Sequence, residues 1–245
     1  MPNSNLINIS KKGESDAIYR VFSIARLLEF FKTRTNVLVR PRLWDDPFEN
    51  YILKSTGITK DGDSVSFGFQ RDLYGQCWTF ERESDAMWRI YSPDKMGVRV
   101  RTTIRALYDS LYQQVSRHPE ISVFIGKVSY ETQKAMVSQL KNRAEMQGVL
   151  DTTGQGTVRT LLMKREEFRH EKEVRLVYYN HLKNDLGDLF KYEIDPFTII
   201  DEIVFDPRMN NDLVEVFTQH LRDMTFSGRI SKSPLYQLPN LKVSI

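Results

Sequence analysis

The chain has a single cysteine, Cys77, in 245 residues. That excludes an intramolecular disulfide and a zinc site built on cysteines. Its four histidines stand far apart, and none has the spacing of a metal centre. His170-Glu171 opens like a zincin motif, but Val174 stands where the second histidine belongs. No metal site is read from the sequence. No apolar run approaches the roughly 20 residues that span a bilayer, so no membrane partner is expected. The polar start, Met1 to Lys12, has no signal-peptide core, which leads us to expect a cytoplasmic protein. Walker loops, serine nucleophile elbows and strand-to-helix Gly-x-Gly-x-x-Gly turns are also missing. Gly154-Gln155-Gly156 is too short to cradle a phosphate and reads as a loop.

What is present is an ordinary folded balance, with 40% hydrophobic and 27% charged residues. The length is ample for one sizeable core. We expect a single domain over 1–245, with 1–14 as a loose start. The net charge of +3 names no polyanionic partner by itself. Between Arg20 and Arg42, however, six bases (Arg20, Arg26, Lys32, Arg34, Arg40, Arg42) face one acid, Glu29. Such a stretch suits phosphates of a nucleotide or of a longer nucleic acid, and equally suits a solvated face.

Ala17 to Phe22 reads as a strand, and Ser23 then caps a helix with Ile24, Leu27, Leu28 and Phe31 on one face. Val37 to Arg40 reads as a strand stopped by Pro41, and Trp44 to Asn50 as a turn-rich loop. Gln76 to Phe80 is strand-like, Ser84 caps a short helix to Tyr91, and Gly97 to Arg101 is extended. Thr102 caps an amphipathic helix, Ile121 to Tyr130 is a strand, and a helix follows to about Gln147. Asp151 to Thr157 reads as a loop, Val158 to Glu167 as a helix, and Glu171 to Tyr178 as a strand. Strands near Leu189 to Ile194 and Ile199 to Phe205 precede a helix over Asn211 to Met224. This irregular mixture favours an α+β fold over a doubly wound sheet.

On the late strand, alternation puts Glu171, Glu173 and Arg175 on one face and Val174, Leu176 and Tyr178 on the other. Two carboxylates so close need a compensating cation, from Arg175 or from a substrate. The pattern fits a polar cleft that stabilises a developing positive charge. It fits equally a solvent-facing edge carrying a Glu–Arg pair, which adds little to stability. Trp44, Trp78 and Trp88 each stand beside polar residues and suit either a flat ligand or the core.

The order of these pieces resembles a bacterial and phage-associated family of unknown function. The motifs are Tyr19-Arg20, Asp46-Pro47-Phe48-Glu49, Cys77-Trp78-Thr79, Met87-Trp88 with Tyr91, and Glu171-Lys172-Glu173-Val174-Arg175. The likeness runs from about Ile18 to Ser233 and is similar in turn to the ADP-ribosyltransferase superfamily, with its DarT-like and CmdT-like toxins. That resemblance implies a split mixed β-sheet with flanking helices and NAD as a consumed substrate. It implies Glu173 as the catalytic glutamate, Glu171 as its accessory partner and Arg20 on the dinucleotide. Thr79 and Ser23 are the candidates for the middle residue. Tyr19, Trp44, Trp78, Trp88 and Tyr91 supply aromatic faces, with Arg42 a further cation for the dinucleotide. A toxin or phage-defence role is implied, with an antitoxin partner; the acceptor expected is RNA or another nucleic acid, and that expectation comes from the basic stretch between Arg20 and Arg42. The alternatives are a metal-dependent nuclease on Glu171 and Glu173, and a non-catalytic nucleotide-sensing module.

Overall fold

The computed structural model describes residues 5–44, 46, 48–49, 56–58, 64–66, 71–141, 148–149, 153–182 and 185–239. Asp45, Pro47 and Asn50 of the expected turn, 142–147 of the expected helix and 151–152 of the expected loop lie outside them. The chain forms two compact units. The first comprises Met1–Ile18, Thr35–Glu81 and Thr103–Ile194; the second comprises Tyr19–Arg34, Arg82–Thr102 and Asp195–Ile245.

The strands are β1 (Leu6–Ile7), β2 (Ala17–Ser23), β3 (Thr35–Val39), β4 (Thr56–Ile58) and β5 (Ser64–Ser66). They continue with β6 (Leu73–Thr79), β7 (Gly97–Thr103), β8 (Val123–Lys127), β9 (Ser129–Glu131) and β10 (Met163–Arg165). The last are β11 (Glu173–Tyr179), β12 (Leu189–Glu193), β13 (Glu202–Phe205) and β14 (Arg229–Lys232).

In the first unit the strand order is β1-β8-β11-β6, with β3 pairing both β6 and β12. β1 is parallel to β8, and β11 runs antiparallel to both β8 and β6. β11 is therefore a central strand, hydrogen-bonded on both edges. One face of β11 and β6 carries Val174, Leu176, Trp78, Gln76 and Tyr74, all buried. Over it Tyr178 stacks on Phe190 at 4.1 Å. The other face bears Val177 and Leu73, which with Phe124 of the neighbouring β8 pack against Val158, Leu161 and Leu162. Both faces are covered, so β11 is not the solvent-facing edge that alternation alone allows. Antiparallel and parallel pairings mix, and helices Ile104–Tyr112, Gln133–Lys141 and Gln155–Thr160 belong to this unit. The α+β expectation holds.

In the second unit the order is β2-β7-β13-β14, with β13 antiparallel to β7 and parallel to β14. The helix Ile24–Thr33 starts as the sequence predicts: the Ser23 side chain accepts a hydrogen bond from the Arg26 backbone N–H. Phe31 packs edge-on against Phe197 and Phe226. The helices Asp85–Tyr91, capped by Ser84, and Asn211–Asp223 also match.

Several expectations change. The start is anchored from Asn5 onward: Asn5 donates to the Glu120 and Val123 carbonyls, and Glu14 pairs with Arg105. Thr103, one residue later than expected, caps the helix that follows β7. The strand expected over Ile121 to Tyr130 divides at Val128 into β8 and β9. The helix expected over Val158 to Glu167 is three elements: a helix Gln155–Thr160, β10, and a 3-10 helix Glu166–Glu171. β10 exists because it pairs in parallel with β9, aligning Lys164 with Tyr130. That non-local pairing overrides helix propensity.

Gly75 on β6 shows how tightly the first unit is filled near β11. A Cβ there would lie 2.6 Å from the Trp44 indole. Gly75→Ala is expected to cost about 1–3 kcal/mol by overpacking, read from urea unfolding, and to shift Trp44 emission.

Candidate functional site

Within the first unit, the side chains of five buried charged residues converge: Glu49, Lys164, Glu171, Glu173 and Arg175. They come from four places in the chain. Glu173 and Arg175 begin β11 on the same face, as alternation requires. Glu171 closes the 3-10 helix and lies outside the strand. Lys172 adopts a left-handed conformation, with φ of 44°, and links the two. Lys164 projects from β10 and Glu49 from the Asp46–Glu49 turn.

Lys164 Nζ lies 2.8 Å from Glu49 Oε1, 2.5 Å from Glu171 Oε2 and 3.6 Å from Glu173 Oε1. The Arg175 guanidinium donates through Nε to Glu173 Oε2 at 3.0 Å and makes a second contact to the same oxygen. It reaches Glu49 Oε1 at 3.4 Å and donates to the Leu161 carbonyl at 2.6 Å. The Trp44 ring covers it at 4.4 Å. Among the described residues, three carboxylates thus surround two cations, and with all three ionised one negative charge is in excess. Next to Lys164, Arg165 pairs with Asp46 at 3.1 Å and packs on the rings of Phe48 and Phe168.

The electrostatics follow from burial opposed by pairing. Burial raises the Glu171 carboxyl above the usual carboxylate range, against the pull of Lys164. Burial alone would lower the Lys164 ammonium, but the charges of Glu173 and Glu49 and its hydrogen bonds reverse this and raise it. Tyr130 accepts the Glu173 backbone N–H at 2.8 Å, and burial pushes its hydroxyl up to about 12.

Of the residues singled out from the sequence, the structure brings together Glu171, Glu173 and Trp44. Thr79 touches this group through backbone: its hydroxyl donates to the Glu171 carbonyl at 2.5 Å and accepts the Glu81 N–H at 2.8 Å. Trp78 donates instead to Gln76, in a buried network with Asn36 and Tyr192. Arg42 is engaged by Asp188 at 2.6 Å, and Arg40 by Asp185 at 2.8 Å. Arg26 pairs with Glu29 at 3.2 Å. Arg40 and Arg42, the end of the basic stretch, are therefore paired with acids that the six-to-one count does not include.

Tyr19, Arg20, Ser23, Trp88 and Tyr91 belong to the second unit. Tyr19 lies under the Arg99 guanidinium, Arg20 lies over the Phe22 ring, and Trp88 donates to Glu83. Ser23 caps its helix, and Tyr91 is exposed. Sequence reasoning missed Lys164 and took Glu49 as part of a turn. The available signal was the need for a second cation once two carboxylates are placed side by side.

Two consequences are measurable. Arg175→Met leaves Glu173 and Glu49 short of a buried partner and is expected to cost about 3–5 kcal/mol in urea unfolding. Lys164 has a folded-state pKa above its unfolded value, so its stabilisation is full below the unfolded pKa, about 10.4, and is lost as pH rises through the folded one. Alkaline loss of stability should therefore be steeper in the wild type than in Lys164→Met.

A family described as "Protein of unknown function (DUF2971)" matches residues 87–176, a stretch that holds Met87-Trp88, Tyr91 and the Glu171–Arg175 motif. No curated protein sequence matches. Among solved structures, the chain is similar to Thermus sp. 2.9 DarT in complex with NAD+, with TM-score 0.41 and 12% identity over 90% of this chain and 96% of that one. It is similar also to the same protein in complex with ADP-ribosylated ssDNA, at TM-score 0.41 and 11% identity over 92% and 96%. At these values the likeness assigns neither an activity nor residue roles to this chain. What is shown is an α+β chain with a buried carboxylate–ammonium–guanidinium cluster, matched over 87–176 by a family of unknown function.

Proposed function

We propose that the protein is an NAD-consuming ADP-ribosyltransferase whose reaction takes place at the Glu171–Glu173 cluster. One observation carries the reading: the two glutamates of the ADP-ribosyltransferase-like motif meet in a buried group with one negative charge in excess. When the nicotinamide–ribose bond breaks, its electron pair leaves with nicotinamide and C1′ becomes cationic. A fixed excess of negative charge in a water-poor site stabilises that cation more than it stabilises the ground state.

The two oxygens of Glu173 differ. Oε2 is held by Arg175, whereas Lys164 stands 3.6 Å from Oε1, outside hydrogen-bond distance. Oε1 is the atom proposed to face the ribose. Glu171, with its raised pKa, is the proposed base that takes the proton of the incoming nucleophile as the C1′ bond forms. The Trp44 ring is the aromatic face at the site.

A metal-dependent nuclease on the same glutamates is not favoured, because the Lys164 ammonium sits where their shared cation would sit. The acceptor is proposed to be a macromolecule. With Arg40 and Arg42 engaged by aspartates, the basic stretch gives RNA no advantage. A toxin or phage-defence role, with a cognate antitoxin, belongs to the same proposal and rests on the sequence resemblance.

The test is incubation of pure protein with isotopically labelled NAD and host lysate, followed by separate protease, RNase and DNase digestion. Label should pass from NAD to a macromolecule, and the digestion that removes it names the acceptor. No loss of NAD from the folded protein would overturn the proposal. Glu173→Gln should lower turnover by about 10²–10³-fold in protein shown to be folded by circular dichroism. Glu171→Gln should impair transfer more than NAD hydrolysis. The acid limb of the wild-type transfer rate should lie above the ordinary glutamate range and vanish in Glu171→Gln.

A further inference from the structure

We propose that Lys164 is the positioning residue of this cluster, the one cation that gathers Glu49, Glu171 and Glu173 into a single anionic site. The inference concerns an unassigned residue, and only its kinetic arm rests on the transferase reading. Three carboxylates from three separate elements repel one another unless a shared cation lies between them. Among the described residues Lys164 alone lies within ion-pair distance of all three, at 2.8, 2.5 and 3.6 Å. Arg175 reaches Glu49 and Glu173 and bridges them from the other side.

The chemistry of the residue fits the task. An ammonium is a compact charge with three rotatable donors, suited to acceptors that converge from different directions. A guanidinium is planar, and Arg175 spends its donors on one oxygen of Glu173 and on the Leu161 carbonyl, with Glu49 at 3.4 Å and Glu171 out of its reach. The stem of Lys164 is fixed by β10, whose parallel pairing sets Lys164 opposite Tyr130, and Tyr130 in turn accepts the Glu173 N–H. Phe168 lies 4.6 Å from the ammonium on a further side. Position 164 is thus coupled to all three glutamates through charge and to Glu173 also through backbone.

A purely packing role and a positioning role differ in what replaces the lysine. Lys164→Ala removes a propyl chain and its ammonium, which n-propylammonium restores as a separate molecule and neutral n-propanol does not. In Lys164→Ala, the Glu171 carboxyl followed by NMR should titrate higher than in wild type and return with propylammonium. The melting midpoint should recover with propylammonium and not with propanol. If NAD is consumed by the wild type, folded Lys164→Ala should lose about 10²-fold in kcat with little change in KM, and propylammonium should return activity.

Recovery by propanol as complete as by propylammonium, an unmoved Glu171 titration, or unchanged kcat in folded Lys164→Ala would each overturn the proposal. If Lys164→Ala folds only with an additive, the proposal stands when propylammonium alone restores folding and falls when propanol does so too, or when neither does. A wild type that leaves NAD intact sinks the transferase reading alone. The titration and melting arms still decide the role of Lys164.

Discussion

A guanidinium with no exposed surface, on a strand hydrogen-bonded along both edges, has to be neutralised where it stands. Arg175 is that group, and the first unit is arranged around it. Desolvating a cation without partners would cost several kcal/mol, a large fraction of a typical domain's stability, so a partner must come from within. Glu173, two residues back on the same face, supplies one carboxylate. The Leu161 carbonyl supplies a neutral acceptor, and the Trp44 ring covers the guanidinium. Bringing Glu49 to the other side then adds a second carboxylate near the first, and that addition needs a second cation. Lys164 is the consequence.

The same logic explains why a three-residue strand suffices to hold the Asp46–Glu49 turn. Neighbours on a strand point to opposite sides. On β10, Lys164 takes Glu49 while the next residue, Arg165, takes Asp46. Each end of the turn is gripped by one of two adjacent residues, and Phe48 adds its ring to Arg165. Thr79 fixes the other carboxylate-bearing segment by its bond to the Glu171 carbonyl. Glu171 is therefore placed through its backbone and charged through its side chain, which lets a residue outside the strand meet one inside it.

The legible parts of the sequence were those decided by neighbours in the chain. The Ser23 and Ser84 caps, the strand at Glu173 and the shared face of Glu173 and Arg175 follow from local rules. Three features depend on residues far away and were not legible. β11 reads as an edge until β6 and β8 are known to flank it. Val158 to Glu167 has the apolar spacing of a helix, and only pairing to β9 turns Met163–Arg165 into a strand and aims Lys164 inward. The basic excess near Arg40 and Arg42 disappears once Asp185 and Asp188, more than 140 residues later, are brought alongside. A window of sequence counts charges, whereas the fold pairs them.

The charge balance of the cluster links its stability to its proposed chemistry. With Glu49, Glu171 and Glu173 ionised, the group carries one negative charge more than Lys164 and Arg175 cancel. Burial makes that excess unfavourable and, with the charges of Glu173 and Glu49, raises the Glu171 carboxyl against the pull of Lys164; a proton on Glu171 would bring the cluster to neutrality. Any other single positive charge placed there would do the same without the proton. A cationic ribosyl centre is such a charge, and its arrival would favour the ionised form of Glu171, the form a base requires. The proton and the reacting cation are thus alternatives for one vacancy in the charge balance. A cluster held neutral by a third cation would be more stable and would have nothing to offer that centre.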